Sequence, residues 1–288
     1  MEFFQVDVFA RAPYSGNPLA VFPEASGLST GQMQQIAREM NLSETTFVTS
    51  VSRAAYSVRI FTPGQELPFA GHPTIGTAWL LKQLHRIGGD RVVQSSPAGE
   101  TGVSAVGDGL WFERTGRVEP DLGGGNDAMR ATVADALGLE PDEVGLDGRG
   151  LGSSEPLRPA EADAGLAQLM VPLRDDSALA RCTPRTQTLH AIHAVGVYCF
   201  TALERGRLAA RGFFPAAGVA EDPATGSAAA GLGLYLGDRG GGAASFEIEQ
   251  GREMGRPSLI LMKCEPGKVS VGGRCESILK GELQALPQ

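Results

Sequence analysis

The chain reads as an α+β protein made of two similar halves, mostly strand with a helix in each. Three observations predict this. Gly (39) and Pro (18) make up about a fifth of the 288 residues, well above the usual share of roughly 12%; that excess calls for many turns and short strands and speaks against a helical bundle. The hydrophobic share of 42% and charged share of 20% supply real cores, and the length suits two domains of ordinary size. Finally, one motif occurs twice, in the same order, once in each half.

The elements follow in order. The opening residues alternate as a strand over about 2–9, and the run from Asn17 to Pro23 is a second apolar segment. Met33, Ile36, Ala37 and Met40 recur at helical spacing within 29–40, and Ser29 with Gln32 forms a capping-box pattern. Residues 43–50 and 54–62 alternate and predict a hairpin. A second helix is predicted from Pro73 to about Leu84, and a further hairpin turns at Asp108-Gly109. Residues 119–129, with three consecutive glycines, read as the linker between halves, and a helix follows over about 129–138. Residues 140–165 are turn-rich and carry no assigned element. Thr186 to Leu203 reads as a coil entering a strand. Strands are predicted over about 194–203 and 208–214, a third clear helix over 223–236, and strands near 246–249, 258–263 and 268–271. The expected division is a first domain over 1–118, with the tail 273–288 returning to it, and a second over 119–272.

Net charge is −8 and no Lys/Arg cluster is present, which argues against nucleic acid and anionic membrane surfaces as partners. Neither a signal peptide nor a membrane span is read, so a cytoplasmic protein is expected. Cys182, Cys199, Cys264 and Cys275 show no CxxC spacing and are expected as reduced thiols. His190 and His193 would point to opposite faces of a strand and find no third ligand. The G-x-G of residues 231–237 lies within a helix rather than after a strand, so it is not a dinucleotide fingerprint. Ser277 to Lys280 matches S-x-x-K without any supporting motif. Neither a metal nor an organic cofactor is expected.

The repeat is the most informative feature. Arg59-Ile60-Phe61-Thr62-Pro63 is followed by His72-Pro73-Thr74-Ile75-Gly76-Thr77-Ala78; Arg211-Gly212-Phe213-Phe214-Pro215 is followed by Asp222-Pro223-Ala224-Thr225-Gly226-Ser227-Ala228. Both copies read R-x-F-x-P, a loop, then [HD]-P-x-x-G-[TS]-A opening a helix. This predicts a duplicated domain related by approximate two-fold symmetry. Each helix start offers N–H groups without intrahelical partners and the positive end of a dipole. Two such ends would clamp one small anionic ligand in a cleft between domains. The plainer alternative is that His72 and Asp222 are helix caps. Asp caps well and His poorly. Glu44 has no twin. Carboxylates are disfavoured in strands, and Leu42, Phe47 and Val48 surround it; pointing into a cleft, it would have a raised pKa suited to general acid/base work. On an open strand edge it would be merely solvated.

The ordered set Ser15-Gly16-Asn17-Pro18, Leu42-Ser43-Glu44-Thr45, Phe61-Thr62-Pro63 with Glu66 and Pro68, Gly71-His72-Pro73-Thr74, Glu221 to Ala228, Glu249-Gln250-Gly251 and Gly255-Arg256-Pro257-Ser258 resembles the phenazine biosynthesis PhzF-like family, a branch of the diaminopimelate epimerase-like fold. Residues 140–185 depart from its pattern. The resemblance implies two pseudo-symmetric αβ domains, each a curved, mostly antiparallel sheet around a central helix, with the active site between them. It also implies cofactor-free isomerisation of a dihydro-hydroxy-anthranilate-like acid. Carried over by motif, Glu44 is the proton carrier, His72, Asp222 and Ser227 are its polar partners, and Gly71, Thr74, Thr225 and Gly226 bind substrate. Racemases of the wider fold place a Cys at each junction; none of the four cysteines lies in either motif here, which argues against a two-thiol racemase. The expected activity is an isomerase moving a proton on a small cyclic or amino carboxylic acid, with a homodimer as a further expectation. Two alternatives stand beside it: a non-catalytic carboxylate-metabolite-binding protein, and an epimerase using Glu44 and His72.

Overall fold

The computed structural model describes all residues except 126, 194, 205 and 241. Residue 126 falls in the predicted linker and residue 194 at the start of a predicted strand, so those two points lie outside the described residues. The chain forms two compact units: Met1–Glu113 with Arg256–Leu259 and Gly272–Gln288, and Arg114–Gly255 with Ile260–Val271.

The first unit contains β1 (Glu2–Val8), β2 (Asn17–Phe22), α1 (Thr30–Met40), β3 (Glu44–Val51), β4 (Ala55–Phe61), β5 (Glu66–Leu67), α2 (Gly71–Gln83), β6 (Arg91–Ser96), β7 (Gly99–Val106) and β8 (Gly109–Thr115). The second contains β9 (Arg117–Asp121), α3 (Asp127–Leu137), β10 (Ala160–Asp163), β11 (Ala167–Pro172), α4 (Asp176–Arg181), α5 (Thr186–Ile192), β12 (Val197–Glu204), β13 (Arg207–Phe214), β14 (Val219–Asp222), α6 (Gly226–Gly240) and β15 (Ala244–Gln250). β16 (Ser258–Glu265), β17 (Lys268–Gly273) and β18 (Cys275–Glu282) close the chain, β18 lying in the first unit.

The duplication is written into the pairing. In the first unit β18–β1 and β1–β2 are antiparallel, β2–β3 parallel, β3–β4 antiparallel and β4–β6 parallel, with β5 antiparallel on β4. In the second, β9–β10 and β10–β11 are antiparallel, β11–β12 parallel, β12–β13 antiparallel and β13–β15 parallel, with β14 antiparallel on β13. Order and sense match at every step. Each parallel pair near the middle is bridged by helix, α1 in one unit and α4 with α5 in the other, as parallel neighbours require.

α2 is apolar or small nearly all round, with Gly71 to Ala78, Leu80 and Leu81 buried; such a helix has to be a core element. It packs against β18, β1, β2, β3 and β7, so its unit's sheet curls around it. α6 is buried from Gly226 to Gly237 and packs against β9, β10 and β11. α1 instead has one apolar stripe. Met33, Ile36 and Ala37 cover Phe22, Phe47 and Phe61, and the predicted capping box is present, Ser29 N–H donating to Gln32 Oε1 at 2.9 Å and Gln32 N–H to Ser29 Oγ at 3.3 Å. In the second unit α3, α4 and α5 supply the matching apolar layer through Val133, Leu137, Leu179 and Leu189 against Val197 and Phe213.

Several expectations are corrected. The β7–β8 turn is Gly107-Asp108, since Val106 pairs with Gly109; Gly107 takes the positive φ (61°) that such a two-residue turn demands. α2 begins two residues before Pro73, and α6 three residues after Pro223. Residues 186–192, read as coil, form α5, so His190 lies on a helix and His193 caps its end. β9 to β11 and α4 emerge from the stretch that carried no element or read as linker. Among the described residues no helix is long and apolar enough to cross a membrane.

Candidate active site

The repeated R-x-F motif is a brace. Arg59 stands over the Phe61 ring, 5.2 Å from its centroid, and donates through Nε and Nη2 to Glu66 at 2.7 and 2.6 Å. Arg211 stands over Phe213 at 5.0 Å and donates through the same atoms to Glu221 at 2.8 and 2.9 Å. Bidentate pairing and stacking are what guanidinium, and not ammonium, can do together. From each glutamate the chain runs five residues to a glycine that opens the central helix, Gly71 or Gly226. The brace therefore sets the register, and it pairs His72 with Ser227, each the second residue of its helix. The sequence repeat had paired His72 with Asp222, which stands four residues ahead of α6.

At the first junction, α1 ends on Asn41 in the left-handed conformation (φ 50°), which Asn tolerates, and the chain turns directly into β3 with Glu44 as its first residue. β3 runs parallel to β2, with Leu19 opposite Glu44. His72, 3% exposed, places Nε2 3.3 Å from Glu44 Oε2 and Nδ1 3.1 Å from Asn17 Nδ2. Burial pushes the His72 imidazole down to about 3, so the ring is neutral near pH 7. The Asn17 amide nitrogen can only donate, which suits Nδ1 as the acceptor; the Nε2–Oε2 approach is close but is not aligned as a hydrogen bond. Two residues along α2, Thr74 Oγ1 donates to Ala70 O at 2.8 Å and accepts from Gln94 Nε2 at 2.9 Å, while Tyr56 OH donates to Gln94 Oε1 at 2.9 Å.

At the second junction Thr225 Oγ1 donates to Asp222 Oδ2 at 2.6 Å. Gln250, 1% exposed, accepts from Tyr198 OH at 2.8 Å and Thr225 N–H at 3.1 Å, and donates to Asp222 O at 2.7 Å and Thr225 Oγ1 at 3.0 Å. Burial, with the Asp222 charge second, raises the Tyr198 hydroxyl far above its ordinary pKa, so it stays a donor. Gly212 faces this knot: a Cβ there would come within 2.9 Å of Thr225 Oγ1. Ser227 Oγ lies 3.4 Å from Gln168 Nε2. Gly226, Ser227 and Ala228 present the first-turn N–H groups of α6; α2 presents fewer, because its third residue is Pro73.

The structure thus brings Glu44 to His72, with Gly71 and Thr74 on the same helical turn, and brings Asp222 to Thr225, with Gly226 and Ser227 just beyond. Sequence reasoning missed Asn17, Gln94, Tyr56, Gln168, Tyr198 and Gln250. Asn17 and Gln250 lay in motifs quoted for the resemblance; Gln250 ends β15 and ties the second junction. His193 Nε2 lies 2.9 Å from Glu161 Oε2, and among the described residues no three His, Cys, Asp or Glu side chains gather as metal ligands. All four cysteines are buried.

The sequence model of the PhzC-PhzF family, described as phenazine biosynthesis-like protein, matches residues 6–281. The trans-2,3-dihydro-3-hydroxyanthranilate isomerase of Pseudomonas chlororaphis is 36% identical over 290 residues, which cover 96% of this chain and 93% of that protein. Among solved structures, a predicted epimerase from Pseudomonas aeruginosa aligns with a TM-score of 0.78 at 32% identity, and a PhzF-family protein from Bacillus anthracis with 0.83 at 21%, each over 99% of both chains. A probable proline racemase from Agrobacterium radiobacter shares the fold at 10% identity, with a TM-score of 0.62 over 98% of this chain and 92% of that one. Mixed sheet and helix, a duplicated strand order and a match along nearly the whole length agree: this chain belongs to the phenazine biosynthesis-like family and is an isomerase of it.

Proposed function

We propose that this isomerase shifts a proton on a small cyclic carboxylic acid of the dihydro-hydroxyanthranilate type, with Glu44 as the acid–base. The observation that carries the reading is a carboxylate, 13% exposed, whose buried Oε2 lies 3.3 Å from an imidazole that burial keeps neutral. A neutral ring donates a hydrogen bond and does not compete for the proton, so Glu44 is the group of the pair that changes charge. It takes a proton from one substrate carbon, holds it as a carboxylic acid and returns it to another. One C–H bond breaks and one forms, and no electrons leave the substrate, so no redox partner is required. Asp222 and Ser227 serve as polar partners. The N–H groups at Gly71, Gly226 and their neighbours bind substrate carboxylate or developing oxyanion. Thr74 and Thr225, whose hydroxyls are engaged in the glutamine networks, contribute by shaping those helix starts.

The epimerase reading with Glu44 and His72 as paired bases is disfavoured by the same distance. Two-base inversion needs groups on opposite faces of one carbon, and no carbon fits between atoms 3.3 Å apart. The test is turnover of trans-2,3-dihydro-3-hydroxyanthranilate in D₂O. Deuterium appearing at the carbon that gains hydrogen supports the isomerase. Inversion at a single carbon supports an epimerase, and binding by thermal shift with neither turnover nor exchange supports a metabolite binder. Activity should survive exhaustive dialysis against a chelator.

A further inference from the structure

We propose that Asn17 is a positioning residue for proton transfer, which fixes His72 in the tautomer that carries its proton on Nε2. The inference rests on the acid–base reading of Glu44 only for its effect on rate.

Asn17 is the first residue of β2 and fully buried. Its amide nitrogen lies 3.1 Å from His72 Nδ1, on the side of the ring away from Glu44. A neutral imidazole has one donor nitrogen and one acceptor, and the partner at one decides the other. With Asn17 donating to Nδ1, the proton is held on Nε2, the nitrogen that lies 3.3 Å from the carboxylate without being aligned on it as a hydrogen bond. The opposite tautomer would set a lone pair against Glu44.

The surroundings hold Asn17 in place. Gly16, one residue before, is fixed at both ends of its peptide: its N–H donates to Pro257 O at 3.2 Å and its carbonyl accepts from Arg256 Nε at 2.9 Å. Arg256 Nη2 donates to Ser15 O at 3.1 Å and to Asp7 Oδ1 at 2.6 Å, and the other Asp7 oxygen accepts the Tyr14 N–H at 2.8 Å. Asp7 is 1% exposed. Gly16 takes φ 76°, and a Cβ on it would run into the Val8 carbonyl; only glycine makes this corner. Two motifs about 240 residues apart, Ser15 to Pro18 and Gly255 to Ser258, thus build one clamp whose output is the position of Asn17. Such rigidity is what an orienting group needs.

The experiment is NMR of protein labelled with [¹⁵N]histidine. The chain has four histidines, and replacing His85, His190 and His193 by Gln in turn leaves the His72 signals assigned. Wild-type protein near pH 7 should show a neutral ring protonated on Nε2. Asn17→Asp, isosteric but able only to accept, should place a proton on Nδ1 and lower kcat by about 10²-fold or more while KM changes by less than about threefold. Asn17→Leu should give mixed tautomers. A wild-type ring protonated on Nδ1 overturns the inference, as does an unchanged ring in folded Asn17→Asp. If Glu44→Gln keeps turnover while the ring behaves as described, the acid–base reading fails and the tautomer assignment stands.

Discussion

The first and second helix junctions share a brace, a helix-opening glycine and a buried Tyr–Gln–Thr network, yet they handle polar groups in opposite ways. At the second, Gln250 satisfies four partners and Asp222 accepts from Thr225 at 2.6 Å. At the first, Gln94 ties to Thr74, and two residues earlier on α2 the His72 imidazole lies 3.3 Å from the Glu44 carboxylate. The duplication kept the scaffold and diverged at the second helical residue, histidine in one copy and serine in the other. On the proposed function, the proton chemistry sits at the junction that carries the Glu44–His72 pair.

The largest effect that could break this contrast is at Glu44. Glu44→Gln keeps shape and hydrogen bonding but cannot carry a proton, so turnover should fall by about 10³-fold or more with thermal stability near wild type. Near-native rates on an identified substrate would move the proton chemistry elsewhere.

Next come the two glutamines. Removing a partner from a buried network costs roughly 1 kcal/mol per bond and more where a group is left unsatisfied. Gln250→Leu strands a tyrosine hydroxyl, a backbone N–H and a backbone carbonyl, so about 4 kcal/mol is expected. Gln94→Leu strands fewer, and about 2 kcal/mol is expected. Urea denaturation of both variants checks the order; equal losses would mean the second junction is no more tightly tied than the first.

Local signals carried the sequence reading well. The α1 capping box, the β3–β4 hairpin and the R-x-F brace are each complete within a few residues. The helix starts were misplaced because proline was taken to mark the first helical position; Pro73 sits third in α2, where its missing N–H has no intrahelical partner either. In α6 the helix waits for Thr225, whose carbonyl accepts the first bond, from Ala229 N–H at 2.9 Å. β10 and α4 are too short, at four and six residues, for any period to show, and α5 buries only Leu189. Leu169 to Pro172 was a readable apolar run, and Asp175 a readable cap, accepting from Ala178 N–H at 2.8 Å. Glu44 and His72 were found as types in motifs; their adjacency, and Asn17 behind them, are products of tertiary packing that no local pattern encodes.

Acid stability offers a smaller contrast. His72 has an ordinary value of 6.5 and is held at about 3 by burial. Between those values the unfolded chain binds a proton that the native ring refuses, so stability falls as pH drops below 6.5 and is flat above it. From pH 7.5 to 5 this amounts to about 2 kcal/mol. His72→Gln should remove that part of the slope, whereas Ser227→Ala at the matching place should leave it unchanged. Equal slopes in wild type and His72→Gln would show that the native imidazole takes up its proton as readily as in the unfolded chain.

The smallest difference lies at Asp222. Its carboxylate accepts from Thr225 Oγ1, and an amide oxygen can accept the same bond. Asp222→Asn should therefore cost less than about 0.5 kcal/mol, and Asp222→Ala about 1–2, because the alanine leaves the Thr225 hydroxyl without this acceptor. Turnover should follow the same order, with Asn tolerated better than Ala. A residue that only holds a helix start loses activity in proportion to stability. Should Asp222→Asn instead stop turnover as completely as Glu44→Gln with folding untouched, Asp222 itself moves a proton. The mechanism would then use two carboxylates, and the second junction would be a reactive one.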